Sequence, residues 1–321
     1  RTSYGQRVAG SAKGMVGGLL IFIIGTCLLW WNEGRAVKTA KAIGDAASNV
    51  EIVDDVSKVN ASLNGKLIHA SAFADTKDTL TDDMFGVREQ AIRIDRKVEY
   101  YQWVENAQTK EREKIGGGKE TTTTYTYEKK WVDKPVNSAE FKDPQYQSAN
   151  KVLSEVEDKS EMASNVTFGA YTLPESFVSA ISGGEPAEVR MTEQQTFAWN
   201  EQLHALMPTV DETTSLIHTS ANTAYLGISP NSPQIGDVRI TFTKVVPTDI
   251  SLIAKVNGST FEAYKAKNGQ KFTRIEMGKV SADEMLEHAK SENNIWTWVL
   301  RVLGIMLVVG GLKAMFGLLP M

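Results

Sequence analysis

Apolar residues are unevenly spread along this chain. Residues 14–31 read GMVGGLLIFIIGTCLLWW, a run without a charge. At about 1.5 Å per helical residue it covers ~27 Å, close to the ~30 Å of bilayer hydrocarbon. Residues 295–312, IWTWVLRVLGIMLVVGGL, form a second run, interrupted by Arg301 and followed by Lys313. No small-x-small cleavage site follows the first run; Trp30-Trp31-Asn32-Glu33 comes instead. The pattern therefore predicts a retained span and not a signal peptide. Trp30 and Trp31 close the first run, and Trp296 and Trp298 open the second. Indoles favour interfacial depth, so both spans are expected to present aromatic ends to one leaflet.

Between the runs the pattern changes twice. Residues 32–47 are rich in helix formers at near-helical spacing and predict that the first span continues past the membrane surface. From residue 63 onward short alternating segments predict strands at 66–73, 91–104, 121–132, 166–171, 223–228, 238–245, 250–256, 262–265 and 271–276. Segments 91–104 and 121–132, joined by charged sequence ending in Gly116-Gly117-Gly118, predict a long hairpin with a flexible tip. Asn268-Gly269 sits in hairpin-turn position. Residues 144–160 are expected to be partly helical, and 175–181 a short helix. Ser281 with Glu284 three residues on is a capping box for a helix leading into the second span.

The expected fold class is α+β: a mostly antiparallel β domain with short helices, inserted between two transmembrane helices. Its segments are a juxtamembrane stretch (1–13), a first span (14–31), an extramembrane region (32–294) large enough for one large core or two small ones, a second span (295–312), and the start of a further membrane region (313–321). The chain opens at Arg1 and stops in apolar sequence, so it is expected to continue in both directions.

Composition narrows the chemistry. The net charge is −4, which offers no basic field for nucleic acid. The single cysteine, Cys27, lies in the first span, so the extramembrane region can hold neither an internal disulfide nor a thiolate zinc site. Arg1, Arg7 and Lys13 precede the first span, and Arg35, Lys38 and Lys41 follow it; this balance leaves orientation undecided. The histidines, His69, His204, His218 and His288, show no metal-ligand spacing. Glu284 and His288, four apart, read as a solvated pair. Gly116-Gly117-Gly118-Lys119 lacks phosphate-loop spacing and precedes a strand. No catalytic, cofactor or metal residue is assigned, and no cofactor is expected.

Four sets of residues remain as candidates. Trp30, Trp31, Trp296 and Trp298 mark the interface. Glu33, Arg35, Arg301 and Lys313 are charges at or inside it. Arg301 lies ~9 Å into the second span and cannot shed its proton, so it must snorkel to water or find Glu33, backbone carbonyls or lipid headgroups. Gly10, Gly14 and Gly18 recur every four residues, a row that either packs a helix closely, from this chain or a second protomer, or merely tolerates lipid. Tyr101, Trp103, Tyr125, Tyr127 and Trp131 share faces of the predicted hairpin, forming a cross-strand ladder or a partner surface. Asn60, Asn165 and Asn257 begin N-x-[ST] triplets that matter only in a eukaryotic lumen.

Several long, collinear segments resemble the LUMA family, also called transmembrane protein 43: NEGRAVKTA (32–40), VEYYQWVE (98–105), YTYEKKW (125–131), IGDVRITF (235–242), VSADEMLEHAKSEN (280–293) and WTWVLRVLG (296–304). The resemblance implies an anchored protein whose large domain faces the endoplasmic-reticulum lumen or perinuclear space, or the periplasm in a bacterium, with further spans after the second. It also implies nuclear-envelope organisation and scaffolding, with partners such as lamins confined to animal nuclei. The expected role is a non-enzymatic membrane organiser whose partners are membrane lipids, other membrane proteins and a possible second copy, with no nucleic acid. The rivals are a membrane-surface enzyme acting on lipid or envelope substrate, and an accessory subunit of a channel or transporter.

Overall fold

The computed structural model describes residues 4–114 and 118–316, with side chains described outside 4–13 and 111–119. The N-terminal helix Tyr4–Asn49 and the C-terminal helix Ala282–Phe316 are both long and apolar enough to cross a membrane. Mostly antiparallel sheets with few short helices lie between them in sequence, the α+β class the pattern predicts; Glu51–Ile52 pairs parallel with Leu67–Thr76. The N-terminal helix has 46 residues, roughly 70 Å, more than twice the hydrocarbon thickness, so it runs past the membrane surface without a break.

The chain divides into two compact units. The helix-bearing unit comprises Arg1–Ala74, Thr167–Pro174 and Thr248–Met321; the second comprises Asp75–Val166 and Glu175–Pro247. In the first, the central strands Leu67–Thr76 and Thr248–Asn257 pair antiparallel, with Ile253 opposite His69. Ile43 and Ala46 of the N-terminal helix, Leu67 and Ile253 of the sheet, and Met285, Leu286 and Ala289 of the C-terminal helix form one buried cluster. Ser281 caps the C-terminal helix: its hydroxyl accepts from the Glu284 N–H, and its own N–H donates to the Glu284 carboxylate.

In the second unit, strands run in the order Ile217–Ser220, Thr223–Leu226, Val238–Val245, Arg93–Lys114 and Gly118–Val132. Phe85, Val98, Leu203, Leu216, Leu226, Ile240 and Phe242 fill its core. The aromatic hairpin is longer than its alternation suggests, because charged and threonine-rich positions continue the ladder from Ala107–Tyr125 outward. Its glycine tip, Gly116 and Gly117 included, lies outside the described residues.

Three local expectations are corrected. Residues 144–160 form turns and extended chain, not helix. Their polar side chains serve other bonds: Asn150 bonds the backbone of both Trp103 and Val136. The expected strand at 166–171 is two strands, Val166–Phe168 and Tyr171–Thr172, turned at Gly169 with φ +59°. There a Cβ would meet the Val56 carbonyl. A helix not expected from the pattern, Glu193–Leu206, begins in a Thr192–Gln195 capping box.

Candidate functional site: a polar clasp between the long helices

The two long helices run antiparallel, since numbers rise along one as they fall along the other at each contact. A Cβ on Gly18 would lie 2.8 Å from the Gly311 carbonyl oxygen, and one on Gly25 2.9 Å from Leu307. Gly304 and Gly311 answer from the other side. Asn32 then faces Thr297, its side-chain amide donating to the Thr297 carbonyl at 2.8 Å. Gly18, Gly25 and Asn32 are seven apart, as are Thr297, Gly304 and Gly311. A seven-residue seam keeps two helices in register along a left-handed crossing. Where it leaves the apolar stretch, the seam changes from glycine to hydrogen-bonding side chains.

Those side chains make the clasp. Arg35 donates to Asn293 Oδ1 at 3.1 Å, Thr297 Oγ1 at 3.0 Å and Asn32 Oδ1 at 3.2 Å. Asn293 donates to the Ala36 carbonyl at 3.1 Å. Asn32 is fully buried, and Asn293 and Thr297 nearly so. A buried amide without partners is costly, and here each one is bonded across the helix pair. One turn away, Arg301 grips Glu33 with two bonds, 2.6 Å from Nε and 2.8 Å from Nη2, in the planar fork that favours carboxylates. Its guanidinium also lies 5.0 Å from the Trp298 ring centroid.

The structure thus brings Glu33, Arg35 and Arg301 together. Trp30, Trp31, Trp296 and Trp298 are exposed at the same level of the helix pair. Lys313 stands exposed in the last turn of the C-terminal helix. Gly18 packs on the partner helix within this chain; Gly14 is half-buried, and the surroundings of Gly10 lie outside the described residues. Sequence reading missed Gly25, Gly304 and Gly311, as well as Asn32, Asn293 and Thr297 as bonding groups. The seven-residue spacing of Gly18, Gly25 and Asn32 and of Thr297, Gly304 and Gly311 is the signal that carries them.

The aromatic hairpin face packs on its own chain. Tyr101 meets Trp131 across the strands at 5.3 Å. Trp103 meets Tyr146 at 4.9 Å, and Tyr127 stacks on Tyr146 at 4.1 Å. Tyr125 remains partly exposed. Arg239 lies 4.4 Å from the Trp131 centroid, closing that end of the ladder.

The histidines are bonded individually. His69 bonds the Val280 carbonyl at 2.8 Å and His204 the Thr214 carbonyl at 2.9 Å; His218 bonds the Gly227 and Ile228 carbonyls. His288 bonds Glu276 at 2.9 Å, not the Glu284 of the sequence expectation. Among the described residues no group of three or more His, Cys, Asp or Glu could hold a metal. In the second unit burial pushes the Asp237 carboxyl above its usual range, opposed by hydrogen bonds from Tyr225 and the Gln234 N–H. A depression of 390 Å³ there is lined by Met84, Trp199, Gln202 and one carboxylate, Glu155.

Two unbroken apolar helices, joined at one end by a hydrogen-bonded clasp and continuing into a sheet, define a membrane-anchored α+β protein. The family model described as Transmembrane protein 43 matches residues 100–321, and the chain belongs to that family. It is 28% identical to Transmembrane protein 43 of Rattus norvegicus over 97% of this chain and 75% of the relative. The human protein of that name is 27% identical with the same coverage, and a Drosophila melanogaster homolog 25% over 92% of this chain and 74% of its own. No solved structure matches the chain. These relatives carry a name that states membrane residence and no reaction.

Proposed function

We propose that this protein is a non-enzymatic organiser of its membrane, presenting a folded body at a fixed attitude outside the cytosol. The observation that carries the reading is the clasp. Asn32, Arg35, Asn293 and Thr297 tie the helices together where they leave the apolar stretch, and the same helices run on into the Ile43–Met285 core. A body held this way cannot swing freely on its anchors. That serves a scaffold, which gains from a defined presentation of its surfaces. The extracytoplasmic placement is what the family resemblance implies, charge balance being neutral on the point.

Crosslinking in native membranes followed by co-purification tests the role. Specific membrane-protein partners are expected at stoichiometric yield; recovery of lipids alone with no reproducible protein would end the scaffold reading. Impermeant thiol labelling of Asn268→Cys tests the placement. Labelling is expected from the extracytoplasmic side, and labelling only after the cytosolic side is opened would reverse it.

A further inference from the structure

We propose that the hairpin Tyr264–Lys265/Lys271–Phe272 and the adjoining helix turns form a docking site for an anionic phospholipid headgroup. The inference deepens the organiser reading by naming its lipid partner, and rests on the two helices lying in a bilayer. The hairpin lies along the N-terminal helix, fixed at three points. Tyr264 and the Lys267 N–H both donate to Asp45, at 2.9 and 3.0 Å. Asn268 donates to the Lys38 carbonyl at 2.7 Å, and Gln270 to Thr39 Oγ1 at 3.0 Å. Since residue 38 is nearer Trp31 than residue 45 is, the hairpin turn points down the helix toward the interfacial tryptophans. Seven residues separate Lys38 from Trp31, a rise of ~10 Å. The headgroup layer is roughly 5–8 Å deep beyond the hydrocarbon, within reach of the flexible Lys38 side chain and facing the hairpin turn bonded beside it.

The charges there are one-sided. Lys38, Lys41, Lys265, Lys267 and Lys271 are all exposed. Helical spacing puts Lys38, Lys41 and Asp45 on one face, the face against which the turn rests. Lys267 pairs with Asp45 at 3.6 Å, and Asp45 already accepts hydrogen bonds from Tyr264, the Lys267 N–H and Asn49. The other four lysines make no ion pair among the described residues. Lys265 stands directly opposite Lys271 across the hairpin, a like-charge pair that destabilises an isolated two-strand ladder. Neither lysine has a carboxylate within ion-pair distance among the described residues. An anionic headgroup at the membrane surface would supply the missing charge: juxtamembrane basic clusters are drawn to acidic lipid, with about a fivefold gain in affinity for each lysine whose ammonium reaches the surface. Phosphatidylcholine, with no net charge, would not gain from these contacts.

The test uses the whole chain in nanodiscs of equimolar phosphatidylcholine and phosphatidylserine, reading by mass spectrometry the lipids that stay bound on release. Both faces of a nanodisc are accessible, so the result does not depend on topology. The wild-type chain should retain phosphatidylserine in several-fold excess. The K38Q/K41Q/K265Q/K267Q/K271Q variant should lose that excess, the corresponding Lys→Arg variant should keep it, and K58Q, at an exposed lysine off the hairpin, should change nothing. Equal retention of both lipids by the wild type would overturn the proposal, as would an unchanged excess in the Gln variant when the Arg variant proves equally folded. Displacement of the lipid by millimolar inorganic phosphate would mean a site for a soluble anion, and would overturn it too. Lipid selection that persists without protein crosslinks would sink the organiser reading alone; crosslinks without lipid selection would sink this one alone.

Discussion

Asn32, Glu33 and Arg35 stand within four residues of each other and do unequal work. Asn32 is fully buried and bonded across the helix pair. Removing its amide leaves the Arg35 guanidinium short of an acceptor in a desolvated place, which costs ~1–3 kcal/mol. Glu33 and Arg301 form an exposed pair, where solvent screening weakens the attraction despite good geometry. Asn32→Ala is therefore expected to lower the thermal unfolding temperature in nanodiscs markedly more than Glu33→Gln. Arg301→Leu should cost somewhat more than Glu33→Gln, since it also takes the guanidinium off the Trp298 ring, and the double variant should do no more than Arg301→Leu alone, because both changes remove the same pair. Equal effects of Asn32→Ala and Glu33→Gln would show that the buried amide does not hold the helices.

For the helices, the seam sets the test. Gly18, Gly25, Gly304 and Gly311 each lack room for a Cβ, whereas Gly17, Gly34 and Gly310 have nothing within 4 Å. Gly25→Ala and Gly311→Ala must push backbones apart, at ~1–3 kcal/mol for an overpacked contact. Gly17→Ala and Gly310→Ala should be neutral or slightly stabilising, since alanine is the better helix former. Unfolding in detergent separates the two sets, and equal behaviour would mean the helix pair is not packed at these positions.

The whole chain is divided in an order that sequence position does not suggest. The helix-bearing unit is assembled from three separate stretches of sequence. Its buried cluster needs Ile43 and Ala46 from one end and Met285, Leu286 and Ala289 from the other. A fragment of residues 32–294 is accordingly expected to unfold cooperatively. A fragment cut to 50–281 loses both helical walls of the cluster, exposes Leu67 and Ile253, and should unfold at much lower denaturant or aggregate. Circular dichroism in urea distinguishes them; equal midpoints would show that the sheet is stable without its helices.

What was legible in the sequence was set by local pattern. An uncharged run of 18 residues has one comfortable environment, and strand alternation has one period, so the spans, the α+β class and the aromatic hairpin could be read directly. The capping box at Ser281 and the turn at Asn268-Gly269 were legible for the same reason: each is satisfied by residues a few positions apart. The helix Glu193–Leu206 carries such a signal too, in Thr192 and Gln195, but its apolar periodicity is weak. The clasp is different in kind. Asn32 and Thr297 are 265 residues apart, and neither looks unlike an ordinary polar flank of a membrane span until the other helix is beside it. Glycine spacing alone likewise could not say that Gly18 meets Gly311, because which helix lies opposite is fixed by the sheet that sets the two helices side by side. Hydrogen bonds and close packing between distant segments carry no local period, so the tertiary structure alone decided them.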